Sequence, residues 1–137
     1  MISVLSTTNS YILQPSLVEM HRQSLEYLSA TALWKRELRF FQKLLDQYAP
    51  KFSTVDDKKR VDHFQNLLTY YSGELVDELN RKIRQHENNL SRLLQEKNES
   101  DTQYFHEHKG LMAQAESFSK SYDEFHHSLY DFIEKVM

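Results

Sequence analysis

The sequence predicts an all-α protein, an elongated up-down-up antiparallel three-helix bundle with coiled-coil-like heptads. Three observations predict it. Apolar residues recur at alternating steps of three and four along about 16–49, 54–97 and 100–136. The 137 residues include only two Gly and two Pro, too few chain reversals for a many-stranded sheet. No Cys is present, so neither a disulfide framework nor a Cys zinc site is available. Residues 1–15 read as an N-terminal arm and 16–137 as the bundle, one domain. A hydrophobic share of 39% is too rich for a disordered chain.

The arm could order in part through Ile12 and Leu13. Helix 1 opens on Pro15-Ser16 with Glu19 three residues on, the spacing of a capping box. Pro50 ends it near Tyr48 or Ala49. Its seam runs Leu17, Met20, Ser24, Tyr27, Thr31, Trp34, Leu38, Phe41, Leu45, Tyr48. Ser53 or Thr54 caps helix 2, with Asp56 and Asp57 at its positive end. The helix 2 seam runs Val61, Phe64, Leu68, Tyr71, Leu75, Leu79, Ile83, His86, Leu90, Leu93. Its steps from Leu75 to Leu79 to Ile83 are both four, a stutter that locally unwinds a supercoil. The polar run Lys97-Asn98-Glu99-Ser100-Asp101 is the next turn, with Asn98 or Ser100 as the cap. The helix 3 seam runs Tyr104, His108, Leu111, Ala115, Phe118, Tyr122, Phe125, Leu129, Phe132, Val136. Gly73 and Gly110 fall inside helices at solvent-facing positions. Each costs on the order of 1 kcal/mol against Ala. They read as tolerated surface glycines, with a local bend or a close helix approach as the alternatives.

Helix 1 carries more apolar residues than one seam uses. Val18, Leu25, Ala32, Leu33 and Phe40 cluster opposite the seam at 100° per residue. A second apolar face implies a second partner: another copy, a different helical protein, or the arm folded back. Self-association is the leading form, because symmetric dimers are the commonest oligomers. From Glu99 onward the chain has eight acids against three Lys, an acidic solvated face. Lys58-Lys59-Arg60, preceded by Asp56-Asp57, reads as surface and not as a phosphate site.

Histidine supplies the main chemical alternative. Antiparallel pairing brings His21, His86 and His108 into one end layer, where three imidazoles could ligate a transition metal. The competing reading gives each imidazole a carboxylate or backbone carbonyl partner, with Glu19, Glu87 and Glu107 nearby. Di-iron bundles need two Glu-x-x-His pairs, and this chain has one, Glu124 to His127. The hemerythrin spacings, His-x-x-x-Glu and His-x-x-x-His, do not occur. No phosphate loop, Cys nucleophile or legible triad appears. Seam Tyr27, Tyr71 and Tyr122 are expected to satisfy their hydroxyls on Ser24 or Thr31.

Leu33-Trp34-x-x-Glu37-Leu38-x-Phe40, His63-Phe64-Gln65-Asn66, Asp77-Glu78-Leu79 and His86-Glu87 together resemble small uncharacterised bacterial helical proteins. Those share a Trp-x-x-Glu-Leu helix and a His-Phe-Gln-Asn helix. The resemblance covers helices 1 and 2 and implies three long helices, with no activity attached. Trp34 in a seam is also similar in placement to spectrin-like repeats, an architectural analogy only. Pairing places His63 and Asn66 near Glu37, so a polar contact there is expected.

These readings predict a non-enzymatic interaction or scaffold protein whose partner is itself or another helical protein. The alternative is a metal-binding bundle using His21, His86 and His108, with a transition metal as its one candidate cofactor. A net charge of −3 argues against a nucleic-acid partner and against an anionic membrane surface. The first ten residues lack the basic and apolar regions of a signal peptide, so a cytoplasmic location is expected.

Overall fold

The computed structural model describes residues 15–96 and 102–137. The arm, including Ile12 and Leu13, and the caps expected at Asn98 and Ser100 lie outside the described residues. Among the described residues the chain is all-α, with three long helical segments. The first is α1 (Pro15–Tyr48), ended by a 3-10 turn, Ala49–Lys51, that contains Pro50. The second comprises α2 (Val55–Tyr70), a π-helical turn (Tyr71–Leu75) and α3 (Val76–Glu96). The third is α4 (Thr102–Glu134).

Local chemistry sets these limits. The Asp57 amide donates to Thr54 Oγ1 at 3.1 Å, so Thr54 is the N-cap, with Asp56 and Asp57 in the first turn. The side chain of Ser16, on which the capping box expected of helix 1 depends, lies outside the described residues. The helix already includes Pro15, whose missing N–H suits a first helical position, and Glu19 is held by Arg22.

The expected stutter in helix 2 is resolved differently. The Val76 amide reaches back five residues to the Tyr71 carbonyl, so the helix widens by one residue. The buried sequence therefore runs Leu68, Tyr71, Val76, Leu79, Ile83. Val76 takes the seam place expected of Leu75, which is half-buried. Lys35 of α1 crosses to this turn. Its Nζ donates to the Ser72 carbonyl at 2.6 Å and to Asp77 Oδ1 at 2.7 Å. The usual α-helical partner of that carbonyl, the Val76 N–H, is the one diverted to Tyr71. Gly73 sits in the widened turn and is exposed, as expected of a surface glycine. A Cβ at Gly73 or at Gly110 would meet nothing within 4 Å, so neither glycine serves a close helix approach.

The main core joins Trp34, Leu38, Phe41 and Leu45 of α1 to Phe64, Leu68, Tyr71, Leu79 and Ile83, and to Ala115, Tyr122, Phe125, Leu129 and Phe132 of α4. Burial of each large side chain contributes about 1.5–3 kcal/mol. Phe52, in the connection after α1, lies flat on Phe132 at 4.2 Å between ring centroids. A smaller cluster of Leu17, Leu90, Leu93 and Tyr104 closes one end.

Polar seam residues find partners other than those expected. Tyr71 shares a 2.7 Å hydrogen bond with Ser121, and Tyr122 donates to Glu37 at 2.8 Å. Thr31 donates to the Leu28 carbonyl and accepts from Asn80. The Glu37 contact expected of His63 or Asn66 is not made; both are exposed, and Tyr122 has that carboxylate.

Candidate functional site

Two groups of residues stand apart from ordinary core and surface. The first is the outer face of α1. Val18, Leu25, Leu33 and Phe40 expose 42%, 46%, 55% and 57% of their surface, and Ala32 is exposed with them. All five residues expected on a second apolar face therefore point away from the core. The face is flanked by charge. Arg22 is engaged by Glu19 on one side and Glu26 on the other. Arg36, Arg39 and Lys43, further along the helix, are exposed and take no ion pair among the described residues.

The second group is a layer of histidine near the end of the core. His86 and His108 are 1% and 4% exposed. His86 Nδ1 lies 2.7 Å from Glu107 Oε1, which also accepts from Asn89. His86 Nε2 lies 2.8 Å from His108 Nδ1, and His108 Nε2 lies 2.7 Å from Gln23 Oε1. A continuous polar chain thus runs from α4 through α3 and back through α4 to α1.

A carboxylate only accepts, so the His86 Nδ1–H donates to Glu107. At the other end His108 Nε2 shares a 2.7 Å hydrogen bond with the Gln23 amide, which can present its oxygen or its NH2. Burial, reinforced by the charge of His86, holds the pKa of His108 down at about 4, so this imidazole is neutral. One proton lies between His86 Nε2 and His108 Nδ1. The His86 ring lies parallel to that of Tyr104 at 4.3 Å. Burial opposes the Glu107 carboxylate. Hydrogen bonds from His86 and Asn89, with the charges of His86 and Arg92, outweigh burial and hold its carboxyl below the usual range.

His21 is placed elsewhere. Its Nδ1 lies 2.5 Å from Glu87 Oε1 but off a hydrogen-bond direction. The structure thus brings His86 and His108 together as a hydrogen-bonded pair and gives His21 to Glu87. Both nitrogens of His86 and of His108 already have partners, and a metal on the three expected imidazoles would have to displace them. Three ligand atoms do converge within 4.8 Å on α4, at Asp123, His126 and His127. That grouping was legible only as helix spacing, since residues three and four apart share a face. Burial of Tyr104, then the charges of Glu87 and Glu107, push its phenol above the ordinary range. Its hydroxyl is buried without a hydrogen-bond partner, as are Ser24 Oγ and Glu87 Oε2.

No helix among the described residues is long and apolar enough to cross a membrane. No family model, curated protein or solved structure matches the chain.

Proposed function

We propose that this chain is a non-enzymatic helical interaction or scaffold protein that forms a homodimer through the outer face of α1. The observation that carries this reading is the row of four large apolar side chains, Val18, Leu25, Leu33 and Phe40, standing in solvent on one helix face. Each leaves about half its surface uncovered, and covering such a row is the usual reason for a helix to be apolar on two sides. A rigid platform is part of the proposal: an up-down-up bundle in which α1 and α4 run parallel, with the middle helix antiparallel to both. Cross-helix pairs support that arrangement. Gln23 with His108 and Glu37 with Tyr122 have the same separation of 85 residues. From Gln42–Gln65 to Lys35–Asp77, the residue number falls on the first helix as it rises on the second.

Sedimentation equilibrium at micromolar concentration tests the self-association. A dimer is expected, and Leu25→Glu or Phe40→Glu should give a folded monomer. A wild-type chain that is monomeric at every concentration up to about 100 μM, the range of weak specific association, sinks the reading.

A further inference from the structure

We infer that two copies pair antiparallel along α1, about a two-fold axis at Ser29; this rests on the self-association proposed above and names its geometry. The outer face reads the same in both directions. Counting outward from Ser29, Leu25 and Leu33 lie four residues away, Arg22 and Arg36 seven, and Val18 and Phe40 eleven. All seven are exposed. At 100° per residue they fall within an arc of about 80°, so they form one strip. A two-fold operation that reverses a helix exchanges positions equidistant from the axis. It brings leucine to leucine, a large apolar residue to a large apolar residue, and a small hydroxyl residue to itself. The small side chain belongs at the axis, where the two backbones come nearest.

Charge selects the same arrangement. The half of the strip around Arg22 holds two carboxylates, Glu19 and Glu26, against one guanidinium, an excess of negative charge. The half around Arg36 adds Arg39 and Lys43, an excess of positive charge. Antiparallel pairing sets the negative half of each copy against the positive half of the other. Parallel pairing sets Arg36, Arg39 and Lys43 against their own copies, which costs free energy and slows encounter. Arg36 reaches the level of the partner's Arg22 in this register, but that guanidinium is already clasped by two glutamates.

Cysteine crosslinking tests the register, and the chain has no native Cys to confuse it. Helices 8–10 Å apart leave facing Cα atoms at about 3.5–5.5 Å, and the wider spacings lie within disulfide reach. Ser29→Cys is therefore expected to form a covalent dimer under mild oxidation. Val18→Cys should not link to itself, because its two copies lie about 33 Å apart along the helix. The expected difference in rate is at least tenfold, with circular dichroism confirming that both variants fold. Equal crosslinking at both positions indicates a parallel pair and overturns the inference. Sedimentation as a dimer with no Ser29 crosslink overturns the register and leaves self-association standing. Sedimentation as a monomer, as when the chain's own first residues cover the strip, overturns both.

Discussion

His86 Nε2 and His108 Nδ1 face each other at 2.8 Å in the buried end layer, one nitrogen donating and the other accepting. Two imidazoles in such contact cannot both be cations without strong repulsion. The pair therefore ties folding to pH. The pKa of His108 falls from 6.5 when free to about 4 in the fold. Above pH about 6.5 the imidazole is neutral in both states. Below it, the unfolded chain takes up a proton that the folded chain refuses until about pH 4. Folding stability should fall across that window, by up to on the order of 3 kcal/mol. Urea denaturation at intervals from pH 7.5 to pH 4 measures it. His108→Gln should flatten the profile over the window; an unchanged slope would show that His108 is not its source.

Tyr104 illustrates a cost in the same layer. Its ring stacks on His86, but its hydroxyl is buried with no partner. Tyr104→Phe keeps the stacking and removes the unmet hydroxyl. The variant should gain about 1 kcal/mol, or about 3 °C in Tm, by calorimetry. A lower Tm would mean that the hydroxyl contributes a bond in solution.

Phe40 and Phe41 are neighbours with opposite environments, 57% and 2% exposed. Phe41→Ala should destabilise the fold by about 3–5 kcal/mol through the cavity it opens. Phe40→Ala should change the stability of the isolated chain by no more than about 0.5 kcal/mol. Denaturation followed by Trp34 fluorescence at submicromolar concentration separates the two, since dilution removes the contribution of pairing. Equal losses would place Phe40 inside the folded chain.

Gly110 occupies an exposed helical position with open space around it. Gly110→Ala should stabilise α4 by about 0.5–1 kcal/mol through the smaller entropy of the unfolded chain. Chemical denaturation measures this, and a loss of stability would point to a backbone conformation that alanine resists.

The pattern of buried residues was legible because helical periodicity and burial are the same fact seen twice. Leu17, Trp34, Leu38, Phe41 and Leu45 on α1, and Leu111, Ala115, Phe125, Leu129 and Phe132 on α4, are buried where steps of three and four place them. The outer positions of Val18, Leu25, Ala32, Leu33 and Phe40 followed from the same count. Polar pairing was less legible. A glutamate partner for a core-edge histidine was readable as a type of contact, and Glu107 and Glu87 fill that role. Gln23 was not foreseen, because its meeting with His108 joins residues 85 apart and depends on how far each helix turns about its axis. Phe52 gave no periodic signal, since it lies in a connection and is buried by the return of the chain over Phe132. The exchange of Leu75 for Val76 was hidden for a related reason. A stutter and a π turn both shift the phase of a stripe, and the letters alone do not say which carbonyl the amide selects.

The widened turn at Tyr71–Leu75 gives the middle helix one residue of slack. An α-helix would bridge Tyr71 to the next seam position in four residues, and this chain spends five. Excision of Gly73 would let the turn close to ordinary α geometry with Tyr71 and Val76 still facing inward. Backbone length and core registration are thus uncoupled at this one place. A single-codon deletion, which would rotate the rest of any regular helix by about 100°, can be absorbed there without moving the layers that follow.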